Sequence, residues 1–521
     1  MKFNAPKLRA LLSLAIILSI YISCSQQPNE DKTISSEKTQ APEGVVTLEE
    51  AMPEETYVET VQTESGISVY TDPAFAPVSY TEPKETVFET EMTTFPVLGG
   101  ITLEFDPSIE LKDAVITVPN TFEVTSTEKL ILGEVVTATD GSEALLFTNT
   151  VALTPDGSQL VTNTANDQQI FQNDLGVDST GTYLFVELPE PAGFVTGKVK
   201  SSNSPVTSGI QVGTSAGNVL GMTDNNGNYS MSAGKKSAIF YSYESSTAAY
   251  GSKYTQVTDG VTTLDIDLNL PAAISAGPVN ACFDSNTWTN HTLQGSVSIV
   301  PSLTPHNPAQ GSGMAFITSG PGAFEEKLSS FSQTFTIPSG KTTLEIDYNF
   351  LSDEFPEWVG SVYNDLFNIV IYSKVKGAEL LVNETINGSA MTFSSTMFDG
   401  ETGWKHVSLD VSAYADANEE ITIEFLVSDV ADTIFDSAAI IDNLHFNGSS
   451  CNAGSMGVGT QPAATTEASI TTTTEPVFPE ADITATQTVY EEPVPLTNGD
   501  LNKNPNAGST GNTKKNPKAF K

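Results

Sequence analysis

The chain runs to 521 residues and carries 64 acidic against 23 basic side chains, a formal net charge of −41. Arg9 is its only arginine, and arginine is the side chain best shaped to grip phosphate bidentately. Nucleic acid is therefore excluded as a partner, and so is docking to anionic headgroups through a basic face. The charge favours a solvated extracellular surface with divalent counter-ions.

The first element is a signal sequence. Lys2, Lys7 and Arg9 precede an apolar run over residues 11–22, followed by Ser23-Cys24. At 12 residues the run is shorter than the roughly 20 that a spanning helix needs. The segment resembles the lipobox of bacterial lipoproteins, with Tyr21 where that pattern usually has Leu. The resemblance implies that residues 1–23 are removed and that Cys24 carries lipid. The membrane is then a partner through that lipid, at the bacterial outer membrane or cell surface. An ordinary signal peptide with an incidental cysteine is the alternative reading.

Residues 24–96 are acidic and rich in Thr, Glu and Pro, with recurring phrases such as Tyr70-Thr71-Asp72-Pro73 and Tyr80-Thr81-Glu82-Pro83. Similar phrases return at Thr474-Glu475-Pro476 and Tyr490-Glu491-Glu492-Pro493. Such composition buries little apolar area against chain entropy, so both 24–96 and the tail 452–521 read as extended, disordered stalks.

Between them the patterning is β throughout. Runs such as Ile101-Thr102-Leu103-Glu104-Phe105 and Ala114-Val115-Ile116-Thr117-Val118 alternate or are rich in β-branched residues, and Gly, Asn and Asp turns separate them. No amphipathic helix is expected. The fold class is all-β: antiparallel β-sandwiches over 97–192, 193–272 and 278–450. The first of these matches no known pattern.

In the second, Gly193-Phe194-Val195-Thr196-Gly197-Lys198-Val199 is followed by Pro205 and by Thr223-Asp224-Asn225-Asn226-Gly227-Asn228-Tyr229. This resembles the carboxypeptidase regulatory-like domain, a transthyretin-like sandwich, and implies a spacer without catalytic residues. Asp224 to Gly227 would be its hairpin turn. A Ca²⁺ loop is the weaker reading, because no bidentate Glu follows at EF-hand spacing.

The third segment holds the most specific block, residues 350–367, and a closing run over 436–446 that contains Asp442-Asn443. Together they resemble the choice-of-anchor L domain of surface-anchored bacterial proteins, which implies a jelly-roll-like sandwich. Within the block Asp353, Glu354 and Glu357 crowd one loop, and Asn364 and Asp365 precede a strand. Asp436 and Asp442 lie on the closing run. Oxygen ligands concentrated near strand ends suit a hard cation, so these seven residues are the candidate Ca²⁺ ligands; solvated acids are the alternative. Trp288, Trp358 and Trp404 are the only tryptophans, with Trp358 the candidate ligand-binding platform and core packing the alternative. Cys282 and Cys451 flank the segment, as a disulfide or as two buried thiols. No catalytic motif is present, and the histidines lack metal-ligand spacing. The expected function is a non-catalytic adhesion or recognition module, calcium-stabilised, binding glycan or a surface protein. A structural spacer or envelope-assembly protein without its own ligand is the alternative, and a cryptic glycan-processing enzyme the third reading.

Overall fold

The computed structural model describes residues 44–451 except 91–93, 109–111, 138–142, 172–175, 202–203, 207, 218, 286–287, 289, 321–327, 415–418, 431–434 and 449–450. Cys24, the first part of the expected stalk and the tail from 452 lie outside these residues. Strands dominate. The described α-helices are the short segments Leu48–Ala51, closed by a Thr47–Glu50 capping box, and Thr164–Ile170. The all-β class and the sandwich architecture stand.

The second half of the expected stalk is not a stalk. Val58–Gln62 and Ser68–Thr71 form an antiparallel hairpin whose second strand pairs with Val115–Pro119. Ser79–Thr81 and Val87–Glu89 pair with Thr94–Glu104. Composition concealed this. Between exposed polar residues such as Glu59 and Gln62, the sparse apolar residues Val61, Ile67 and Val69 are buried with Ile101, Ile116 and Phe185, and Thr71 is buried as well. The segment therefore completes the first module instead of leading to it.

The second module opposes Ala192–Ser201 and Asn228–Gly234 to a layer of Gln211–Thr214, Val219–Met222, Ser237–Glu244 and Ala249–Gln256, around Val195, Tyr229, Phe240 and Ile266. The layer continues into the first module. Val219 and Leu220 pair in parallel with Leu145 and Leu146 of Glu143–Leu153. Across that seam Phe147 meets Phe194 at 5.7 Å between ring centroids, with Phe171 of the first module packed against both. Asp224 closes the expected hairpin turn: its Oδ1 accepts from the N–H groups of Asn226 (2.7 Å) and Asn228 (2.8 Å), and its Oδ2 accepts from Asn228 Nδ2 (2.8 Å). Both carboxylate oxygens are thus used within the turn, and Gly227 supplies the positive φ, 76°, that a turn needs there.

The third module stacks two sheets. One orders Ile274–Ser275, Leu328–Thr336, Glu420–Ser428, Leu366–Ser373 and Gly377–Thr385; the other orders Ser296–Val300, Met314–Thr318, Ser437–Phe446 and Thr343–Ser352, with Lys405–Asp410 beside the last. Alternate residues of both meet in a core that includes Phe331, Ile346, Phe350, Phe367, Ile423, Phe425 and Ile441. Cys282 and Cys451 are joined by a disulfide within that core.

The outer face of the first of these sheets is covered by the second module. Tyr241, Tyr243 and Tyr250 pack on Leu366, Val370 and Tyr372, with Tyr250 and Tyr372 ring centroids 5.0 Å apart. Each such side chain contributes about 1.5–3 kcal/mol by burial. The described residues accordingly fall in one compact unit.

Candidate functional site

Register decides which acids come together. Ser352 lies opposite Ser437 in one sheet of the third module, and Leu366 lies opposite Ser428 in the other. Four strand ends therefore finish at the same end of the sandwich. Glu354 follows the first, Asp365 precedes the third and Asp429 follows the fourth. Glu354 and Asp365 are 0% exposed and Asp429 4%.

Local bonding sets their backbones. The Glu354 N–H donates to Ser352 Oγ at 3.0 Å, and the Glu354 carbonyl accepts from the Trp358 N–H at 2.9 Å. Asp365 Oδ1 accepts from the Val430 N–H at 2.7 Å, and the Asp365 carbonyl accepts from the Ile386 N–H at 3.0 Å. Asp365 Oδ2 is buried without a hydrogen-bond partner among the described residues. Ser437 Oγ, close enough to favour the charged carboxylate, also makes no bond of proper geometry. Burial pushes the Asp365 carboxyl well above the usual range, and the charges of Glu354 and Asp429 push it further. Such a group of acids is satisfied by protons or by a cation. Among the described residues no three acidic, histidine or cysteine side chains already stand at metal-coordination spacing.

The other expected ligands are distributed differently. Asp353 sits beside the trio but more openly. Its Oδ1 accepts from the Asp399 N–H at 3.2 Å and its N–H donates to the Asp436 carbonyl at 3.0 Å. Burial, then the charges of Asp399 and Asp436, push the Asp353 carboxyl up to about 6 against the pull of that N–H. Glu357 is exposed on the loop. Asn364 Oδ1 is engaged by the Asn387 N–H at 2.8 Å.

Asp442 does not join them. It pairs with Asp347, and the five residues that separate this pair from the Ser352–Ser437 pair span about 17 Å of strand. Its alternation places it on the outer face of the sheet, where Oδ2 accepts from the Gln310 N–H at 2.8 Å and Oδ1 from the Asn443 N–H at 2.7 Å. Burial brings its carboxyl to about 6. Asp429 takes its place in the cluster. The available signal was a carboxylate directly after the apolar strand Glu420–Ser428.

Trp358 is half-buried, packed against Tyr363 at 5.0 Å and Phe435 at 6.2 Å, with its Nε1–H enclosed and unbonded among the described residues. This is less open than a free stacking platform. Trp288 and Trp404 pack against the two hydrophobic clusters of the module. Three histidines pair with carboxylates: His306 with Glu401, His406 with Asp347 at 2.7 Å and His445 with Glu345 at 2.9 Å.

No family model matches the chain, and no curated protein matches it. Several solved structures are similar to part of it. A carbohydrate-binding module in complex with β-1,4-galactotriose is 12% identical, with 32% of this chain and 94% of that one covered and a TM-score of 0.22. A carbohydrate-binding module specific for non-crystalline cellulose is 11% identical over 34% of this chain and 100% of its own, at a TM-score of 0.22. The K1 cleaved adhesin domain of Lys-gingipain from Porphyromonas gingivalis W83 is 9% identical over 31% of this chain and 94% of its own, at 0.20. At these scores the likenesses carry no argument about ligand or activity.

Proposed function

We propose that the chain is a surface recognition protein without catalysis of its own, that calcium closes one end of its third sandwich, and that lipid on Cys24 holds it to the membrane. The observation that carries the calcium reading is the Asp365 carboxylate, fully buried with one oxygen unbonded and two further buried acids beside it. Like charges buried together are costly. Ca²⁺ takes six to eight oxygens and turns that repulsion into attraction. Glu354, Asp365 and Asp429 would supply carboxylate oxygens, with Ser437 Oγ near them.

The loops at this end support recognition. Phe355 of one loop meets Phe393 of the other with ring centroids 5.4 Å apart, and Asp353 is bonded to Asp399 across them. These loops expose Val362 (64%), Phe393 (74%) and Met397 (73%). Exposed apolar side chains on loops held by a rigid sandwich are a usual place for partner binding, and glycan or a surface protein is the partner class.

The test is binding of the full chain to a glycan array and to surface-protein extracts, in millimolar CaCl₂ and in EGTA. Binding in calcium that disappears in EGTA is expected. Silence in both would favour the structural-spacer reading. Palmitate labelling in a bacterial host, abolished by Cys24→Ser, is expected for the anchor; an unlabelled wild type would mean ordinary secretion.

A further inference from the structure

The three modules meet around a cleft that the acidic loop borders through Ser361, Val362 and Asn364 but does not fill. Its volume is about 470 Å³, and it adjoins a pocket of about 220 Å³ with which it shares Glu190, Ser215, Lys236 and Asn383. One wall is the turn between Asn228–Gly234 and Ser237–Glu244, which presents Lys235 and Lys236 side by side. The other wall belongs to the third module and presents Asn364, Asn383 and Asn387, with Gln256 at the rim. The walls are tied together by Asn383 Nδ2, which donates to the Ser215 carbonyl at 3.1 Å. The tyrosine interface between the second and third modules holds the same two surfaces.

The chemistry of this lining runs against the rest of the chain. In a protein of net charge −41 it offers two ammonium groups and one carboxylate, Glu190. Lys236 is bonded to Glu190 at 2.9 Å, while the partner of Lys235 is Asp259, whose side chain is 91% exposed. An ion pair to so exposed a carboxylate is weak, so Lys235 is easily recruited by a ligand. A concave site focuses its local charge while the surrounding acidic surface repels anions elsewhere. The wall amides are held in place by bonds of their own, Asn383 Oδ1 accepting from Asn368 Nδ2 at 3.0 Å and Asn387 Nδ2 donating to the Ser361 carbonyl at 3.0 Å, and an amide keeps a second N–H and a second lone pair that complement sugar hydroxyls. The adjoining pocket adds Leu188, Pro189 and Ala216, an apolar surface for a sugar ring face.

We propose that this inter-module cleft binds an acidic saccharide, its carboxylate held by Lys235 and Lys236 and its hydroxyls by the asparagine wall. The proposal rests on the recognition reading and names the ligand class and place for it.

The test is an array of uronate- and sialate-bearing glycans beside neutral ones, probed with the full chain in CaCl₂, followed by titration of the best binder. Binding confined to acid-bearing glycans is expected. It should weaken roughly tenfold or more in Lys235→Gln/Lys236→Gln and persist in Lys235→Arg/Lys236→Arg. Both lysines sit half-buried on a turn outside the hydrophobic core, and an unchanged melting point shows that the variants fold. Equal binding of neutral glycans, or acidic-glycan binding unchanged in the glutamine variant, would overturn the cleft while leaving recognition standing. A silent array beside retained binding to surface proteins would overturn the cleft, and silence in every binding assay would overturn both.

Discussion

Glu424 shows how much one buried carboxyl can do. It lies 6% exposed between the second and third modules and accepts from the Tyr372 hydroxyl at 2.7 Å. Burial pushes its pKa up to about 7, against the hydrogen bonds from Tyr372, Ser252 and Ser330. The folded state therefore keeps a proton that the unfolded chain releases near pH 4.5. The contribution of Glu424 to stability is fully present below that pH and is lost as pH rises through 7, by up to ~3 kcal/mol. A Glu424→Gln variant keeps an acceptor for Tyr372 and has no charge to bury. Urea unfolding should find it similar to wild type at pH 5 and more stable at pH 8. Equal pH slopes for the two proteins would refute this assignment. Single residues were the least legible scale. Glu354 and Asp365 stood out because they crowd one block, but Asp429 reaches them only through the pairing of distant strands. Asp442 was misplaced because its register, opposite Asp347 and about 17 Å of strand from the Ser352–Ser437 pair, is set by the pairing of distant strands.

Among the elements, strands were the legible part. Period-2 burial along residues 343–347 and along Lys405–Asp410 follows directly from their sequences. Residues 58–89 were not legible as strands because their apolar residues are few among Thr and Glu, and composition alone resembles a stalk. Cys282 and Cys451 fasten the third module across a separation of 169 residues. Constraint of the unfolded chain over so long a loop is worth several kcal/mol. Cys282→Ser/Cys451→Ser should lose about 2–5 kcal/mol by denaturant titration. A loss below 1 kcal/mol would mean that the core holds these ends without the bond.

For the whole molecule, what the sequence could not convey is how the modules are joined. The shared pairing of Val219 with Leu145 and the tyrosine cluster around Tyr372 lie between segments that each read as self-contained. A cleft formed by Lys235 and Asn387 is invisible for the same reason. The joined cores should make residues 44–451 unfold as one transition in calorimetry, not as separable modules. Tyr372→Ala removes a ring from the seam and a donor from Glu424. It should cost about 3 kcal/mol or more and split the transition. Separate transitions already in wild type would show that the seams are weak.

The most direct measurement is thermal unfolding of the full chain in EGTA and in millimolar CaCl₂, for wild type, Asp365→Asn and Asp429→Asn. A bound ion stabilises the native state by roughly 2.7 kcal/mol at one hundred times its dissociation constant. The midpoint of wild type should rise with calcium, and the rise should be lost in both variants. No rise in wild type, or an equal rise in all three, would contradict a calcium ion held by Glu354, Asp365 and Asp429.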